Sequence, residues 1–546
     1  MSDHDETADN VPLLGGRPTP LMNLEIPACS STDHGEQPLH ASPTDQNLPW
    51  WHRRSPRTPR TQSGRSPRSS TLSPIAGDLG LEGDLGWELD GERVGAFRED
   101  DDARPDVSLG ELYRSVPAPE SMQTWWKKFC FFSGPGSLIA VGYMDPGNWA
   151  TDIAAGSMYN YNLLFMVTVS SLIAVFLQAL SLRLGLVCRE DLASACRKYF
   201  PVWVTYFLWV GAEIAITACD LAEVIGSAVA MHLLFGIPLL WGVVLTVADV
   251  LIVLAVGGNL MRRIEMLIML LCAVIFGCFA FEMFLAKPDY GEILKALFVP
   301  SSEIVTDPGQ LFVGIGILGA TVMPHSLYLH SSLVQSRDIE RTEAAVKEAI
   351  KFSTIDLVLS LFLAFFVNSA ILIVAAATFH KTGHTGIADL EEASAMLETL
   401  LGSRAASVLF GVALLASGQQ STVTGTLAGQ VICEGFIDLK LSPGPRRLVT
   451  RALAVVPAVV VVIVSGDKAI NQLLMLSQVV LSFQLPFALV PLVLFTSSKH
   501  VMGDFATPPA IQVLAWLCTI LIIGLNGLLI VQYFSPPVVP SLDILL

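Results

Sequence analysis

The chain has 546 residues, 52% of them hydrophobic and only 15% charged, with a mean hydropathy of +0.56. Soluble globular domains carry roughly 25% charged residues, so this composition excludes one and points to a membrane protein. The net charge of −16 leaves no basic footprint for nucleic acid, and nine cysteines without paired spacing argue against a disulfide framework and a zinc site.

Residues 1–126 are rich in Pro, Ser, Asp, Glu and Arg and hold no sustained apolar period, so they read as a disordered cytosolic tail. This tail carries 11 Arg/Lys against 21 Asp/Glu and therefore most of the negative charge. Its start, "MSDHDETADNVPLLGG", lacks a basic n-region and an apolar h-region, so no cleaved signal peptide is expected. Asp9, Leu13 and Leu14 lie in a stretch similar to an acidic dileucine sorting signal. Sorting adaptors would then be partners and an endosomal or vacuolar membrane the destination, with the plasma membrane as the alternative. Ser55, Thr58, Ser66 and Ser73 each precede proline among arginines, where a kinase would reverse the local charge.

A transmembrane helix needs about 20 mostly apolar residues. Candidate spans fall near 134–156, 160–186, 202–233, 238–257, 263–286, 309–332, 354–378, 404–436, 448–465, 470–496 and 510–534. That makes eleven, with the third, sixth and eighth interrupted by polar residues. The reading is an all-α polytopic membrane domain over 127–535 with a short C-terminal tail over 536–546. With the N-terminus in the cytosol, seventeen basic residues beyond the tail fall on the cytosolic side. Five (Lys287, Lys295, Lys381, Arg404 and Lys468) fall opposite, and this positive-inside bias sets the orientation.

Within the first span stands "YMDPGNWATD". Were Asp145–Asn148 a loop between two spans, the segment from Trp149 to about Met158 would be too short to cross. Pro146 lacks an N–H and Gly147 adds backbone freedom, so the helix is expected to unwind there. Such a break survives in hydrocarbon only where it faces protein or a water-filled cavity. A second break, Met323-Pro324-His325, interrupts the sixth span. The sixth span lies five on from the first, an odd step, so the two run in opposite directions, which is the pattern of an inverted-repeat transporter with its site at mid-membrane.

Asp145 offers a carboxylate, Asn148 a carbonyl, Met323 a thioether, and the unwound sixth span a backbone carbonyl near Ala320. With no cationic side chain present, the set reads as a cation site. Oxygen ligands suit Mg, Ca and Mn and a thioether favours softer ions, so the mixture points to Mn²⁺ or Fe²⁺. In the third span Asp220 and Glu223 share a helical face, with Glu213 two turns earlier. Buried carboxylates in spans mark ion or proton routes, and His325 and His330 titrate near neutrality unless perturbed. Arg337 reads as a positive-inside residue or a gate partner.

"DPGNWATDIAAGS", "MPHSLYLHSSLVQSR", "DLAEVIG" and "LLASGQQSTVTGTLAGQ" resemble the signature segments of the Nramp family of proton-coupled divalent-metal transporters, over roughly residues 126 to 535. The resemblance implies a LeuT-type fold of two inverted five-helix repeats, with one extra helix here. It implies metal binding by Asp145, Asn148, Met323 and the Ala320 carbonyl, joined in some states by Gln478. It also assigns His325 and His330 to a proton route toward the cytosol and links Arg451 to it. No permanently bound cofactor is implied: Mn²⁺ or Fe²⁺ and H⁺ are the cargo, with Cd²⁺, Co²⁺ and Zn²⁺ as further candidates. The tail is not a family feature.

Three other readings stay open at this point. A cation-coupled amino-acid carrier of the same fold would offer half-helix N–H groups to a carboxylate, where Asp145 now stands. A metal-sensing membrane receptor would need a large output domain after the bundle. A membrane metalloenzyme would want two or three converging His or Cys ligands.

Overall fold

The computed structural model describes residues 109–534, apart from 111, 119–123, 256–260, 386, 388, 440–448, 450, 451, 454, 462 and 464–467. Ten of the eleven expected spans coincide with helices, and of the ninth, 448–465, eleven residues are described, all of them helical. Arg451, Asp9, Leu13 and Leu14 lie outside the described residues.

The first span opens with α1 (Trp125–Phe132) and crosses as two half-helices, α2 (Pro135–Gly142) and α3 (Pro146–Tyr159). Then follow α4 (Leu164–Cys188), the short α5 (Leu192–Tyr199), α6 (Val202–Phe235), α7 (Leu239–Ala255) and α8 (Met261–Ala286). Two short helices, α9 (Tyr290–Phe298) and α10 (Glu303–Thr306), precede the second broken span, α11 (Pro308–Val322) and α12 (Pro324–Leu333). The chain continues through α13 (Glu343–Thr378), α14 (Leu390–Leu401), α15 (Arg404–Ile437), α16 (Lys468–Ser497), the four-residue α17 (Lys499–Met502) and α18 (Pro509–Phe534).

Seven of the described helices are long and apolar enough to cross a membrane by length and composition. The third and sixth spans are among them, whereas α15 is not. Its run "SGQQSTVTG" lowers the mean hydropathy, yet Ser417, Gln420, Ser421, Thr422 and Thr424 are all buried. In hydrocarbon, polar groups persist only when turned to protein partners, and α15 packs most extensively on α6. Both half-helix pairs sit inside a shell of α4, α6, α13 and α16. A Cβ on Gly226 of α6 would lie 2.1 Å from the Pro146 ring, so only glycine lets α6 lie directly against the first break.

Part of the stretch read as tail, residues 109, 110 and 112–118, packs on the helical domain, with Leu109 and Val116 buried.

Candidate cation site

Proline builds both breaks by withholding a donor. At the first, Tyr143, Met144 and Asp145 separate α2 from α3, and Asp145 takes an extended conformation as the N-cap of α3. Its Oδ1 accepts from the Asn148 backbone N–H at 2.8 Å and from Asn148 Nδ2 at 2.6 Å. That leaves Oδ2 buried with no protein partner. At the second break, a residue with an N–H at position 324 would donate to the Ala320 carbonyl, four residues back. Pro324 has none, and the Ala320 oxygen instead accepts from Asn148 Nδ2 at 3.1 Å. The two breaks are therefore joined through one amide.

Met323 connects α11 and α12 at φ +32° and ψ 109°, a conformation a non-glycine residue rarely holds. Its sulfur faces the end of α2, since a Cβ on Gly142 would lie 3.2 Å from Sδ. Gln478 enters from α16 directly over Gly147, where a Cβ would fall 2.0 Å from Nε2. The amide donates to Ser477 Oγ at 3.0 Å, and its Oε1 is buried without a partner. Asp145, Asn148, Ala320, Met323 and Gln478 are thus brought to one place, each at most 1% exposed. None of these contacts involves lysine or arginine, so the concentrated charge is negative.

The expected proton-route residues fall into separate branches. His325 Nε2 lies 3.6 Å from Cys219 Sγ, which lies 3.7 Å from Glu223 Oε1. Asp220 and Glu223 both face α15: a Cβ on Gly425 would be 3.3 Å from the Asp220 carboxylate and 2.9 Å from that of Glu223. His330 belongs to another branch. Its Nδ1 pairs with Gln178 Oε1 at 2.9 Å, and Gln178 Nε2 donates to Ser326 Oγ at 2.7 Å and Tyr143 OH at 3.2 Å. Glu213 stands apart from both, accepting from Trp209 Nε1 at 3.1 Å and Cys433 Sγ at 2.8 Å.

Several neighbours of the site escaped the reading of the sequence. Asn368 of α13 donates to the Tyr143 carbonyl at 2.8 Å and to Asn148 Oδ1 at 3.3 Å. It is the lone amide in the apolar run "FLAFFVNSAILIV", and that was its signal. Asp152 lies seven residues after Asp145, which returns it to the same helical face. It is 1% exposed, with Oδ2 unpartnered. Cys219 and Gln178 carried no signal, because only packing makes them links.

Near the α1–α2 corner, Arg337 is 3% exposed and pairs with Glu265 at 2.8 Å. It also donates to the Phe131 and Ser133 carbonyls at 2.8 and 2.7 Å. Asp356 accepts from Ser133 Oγ at 2.9 Å and from the backbone N–H groups of Gly134 and Gly136.

The family profile described as natural resistance-associated macrophage protein-like, Nramp, matches residues 136–532. The chain belongs to the Nramp family. It is 52% identical over 427 residues to the divalent metal cation transporter MntH of Mesorhizobium japonicum, covering 78% of this chain and 93% of the relative. The MntH of Nostoc sp. is also 52% identical, with 78% and 96% covered. A crystal structure of the Eremococcus coleocola manganese transporter superposes with a TM-score of 0.72 at 38% identity, covering 80% of this chain and 94% of that one. A nucleobase-cation-symport-1 family transporter in a closed conformation, 14% identical with a TM-score of 0.50, shares the fold alone. The Nramp chain is thus a membrane transporter of LeuT-type fold and not an enzyme, with two inverted five-helix repeats, one further helix, and breaks in helices 1 and 6.

Proposed function

We propose that this Nramp protein is a proton-coupled secondary transporter that carries Mn²⁺ or Fe²⁺ into the cytosol. The observation that carries the reading is the buried Asp145 carboxylate, with Oδ2 unpartnered, joined through the Asn148 amide to the Ala320 carbonyl, with the Met323 sulfur facing Gly142, three residues before Asp145. A dication entering this place would lose most of its water, which is costly unless a fixed negative charge compensates. Asp145 supplies that charge. Asn148, the Ala320 carbonyl and, in some states, Gln478 supply further oxygens, while the thioether disfavours hard ions such as Ca²⁺ and Mg²⁺. The names of the relatives, divalent metal cation transporter and manganese transporter, support the same cargo. Cd²⁺, Co²⁺ and Zn²⁺ would compete at a site of this softness.

Protons would leave toward the cytosol through His325, Cys219, Glu223 and Asp220. Glu213 and Arg451 would serve farther along, and His330 with Gln178 on a side branch. The test is Mn²⁺ uptake into proteoliposomes under an imposed pH gradient, with each competing metal added in turn. Uptake should rise as the outer pH falls. Uptake indifferent to the gradient would remove proton coupling, and no metal uptake at all would remove the cargo.

The N-terminus would lie in the cytosol, where Asp9, Leu13 and Leu14 could be read by sorting adaptors. Imaging Leu13→Ala/Leu14→Ala tests this: the variant should collect at the plasma membrane, and an unmoved protein means the signal is not read.

A further inference from the structure

The Arg337 network closes the cytosolic end of the bundle, and a second device lies over it. Residues Leu109–Val116 precede the family match, which begins at 136. They form a turn closed by the Leu112 and Tyr113 N–H groups on the Leu109 carbonyl, at 2.8 and 3.2 Å. One end of this turn is held by α15, where the Leu109 N–H donates to Glu434 Oε2 at 2.9 Å. Glu434 is itself steadied by Gln430 Nε2 at 2.8 Å.

The other end is held by the chain leaving α12. The Arg114 N–H donates to the Gln335 carbonyl at 3.1 Å, and the Val116 N–H to the Ser336 carbonyl at 3.0 Å. The Asp338 N–H returns a bond to the Val116 carbonyl at 3.0 Å, making a parallel bridge between Val116 and Arg337. The Arg114 side chain pairs with Asp338. Leu109 and Val116, 4% and 7% exposed, seat the two ends in the core.

We infer that Leu109–Val116 is an autoinhibitory latch on the cytosolic gate. Metal leaving Asp145 toward the cytosol requires α2 or α12 to part from its neighbours on that side. The latch ties the end of α12 to the end of α15, and it does so at Arg337, the residue that already clamps α8 and the α1–α2 corner. With the latch seated, parting α12 from α15 must release one of its ends, either the Leu109 bond to Glu434 with the Leu109 seat or the three backbone hydrogen bonds, the ion pair and the Val116 seat, as well as the Arg337–Glu265 pair. Release of the latch therefore raises the inward-open population and the rate of turnover. The inference rests on the transport reading above.

The experiment uses the full chain in proteoliposomes and compares wild type, Leu109→Asp/Val116→Asp, and Arg114→Cys/Asp338→Cys joined by a short thiol cross-linker with a reducible disulfide. The expected result is a several-fold rise in initial Mn²⁺ uptake for the first variant. For the second, uptake should be lost on cross-linking and recovered on reduction, with each single-cysteine variant unaffected by the reagent. In parallel, thiol labelling of Cys219, which is buried beside His325, is followed by peptide mass spectrometry. It should rise in the released variant and fall in the cross-linked one. Wild-type uptake by the cross-linked protein, or Cys219 labelling unchanged across all three, overturns the latch. If Leu109→Asp/Val116→Asp fails to fold, the cross-linked pair decides alone. If wild type takes up no Mn²⁺, the transport reading fails while the Cys219 labelling still judges the latch.

Discussion

Each of the two helix breaks places a proline at the first position of its second half-helix, yet their backbones differ. At the first, Asp145 is relaxed at φ −70° and ψ 162°, and its side chain caps α3. At the second, Met323 sits at φ +32° with no side-chain cap on α12, a strain of about 1–3 kcal/mol for a non-glycine residue. The first break combines its charge with a capping role that any soluble helix could use. The second holds a poor conformation that its surroundings must enforce, and in doing so it turns a sulfur and a carbonyl toward the first. A relaxed anionic half and a strained neutral half suggest that charge and selectivity are divided between the two repeats.

The largest effect should come from separating the two jobs of Asp145. Asp145→Ala removes cap and charge, and Mn²⁺ uptake should fall on the order of a hundredfold or more, because an uncompensated buried dication costs several kcal/mol. Asp145→Asn keeps a capping side chain, so it should lose uptake equally while unfolding at a higher temperature than Asp145→Ala, whose lost cap costs about 1 kcal/mol. Normal Mn²⁺ uptake in either variant would place the site elsewhere.

Next in size is Pro324→Ala, which restores an N–H able to claim the Ala320 carbonyl. An acceptor turned back into the helix should raise the KM for Mn²⁺ by roughly tenfold, the scale of one hydrogen bond of about 1.5 kcal/mol. A KM equal to that of wild type would show that the carbonyl does not hold the ion.

Met323→Ala should act on selectivity more than on rate. Mn²⁺ uptake should drop only a few-fold, about 1 kcal/mol, since water can replace one ligand. Cd²⁺ uptake should drop further, and Ca²⁺ and Mg²⁺ should become competitors. If all the metals decline in proportion, the sulfur packs the break and does not choose the ion.

The smallest change in rate is expected from Asp220→Asn/Glu223→Gln, whose readout is slope. On the proposed proton route these carboxylates would make uptake rise with falling outer pH, so the double variant should flatten that dependence while retaining metal binding. An unaltered pH profile would detach the α6 branch from the second break.

Much of this was legible in the order of residues alone. Proline and glycine inside apolar runs locate both breaks, because the missing N–H at Pro146 and Pro324 is a property of the residue itself. An even number of spans between the breaks, four, sets their opposed directions. The presence of Asp145 at mid-span marks a site, because a carboxylate in hydrocarbon is expensive wherever the chain folds. These features are local, or follow from counting.

Other features depended on which helices meet. Asn148 lies in the first span and the Ala320 carbonyl in the sixth, and no periodicity states that one amide will serve both. Gln178 acquires meaning from His330, and Cys219 from His325, through contacts between residues more than 100 positions apart. The stretch around residues 109–118 reads as tail because it holds no sustained apolar period, yet Arg114 and Val116 are held by backbone hydrogen bonds, which composition does not record. The positive φ of Met323 is likewise imposed by packing, since methionine has no intrinsic preference for it. Sequence by itself determined where the helices must break and where charge must be compensated, because those costs belong to single residues in a low-dielectric medium. Only the tertiary structure decided which atoms share the site, because hydrogen bonds between distant segments depend on where packing places their donors and acceptors.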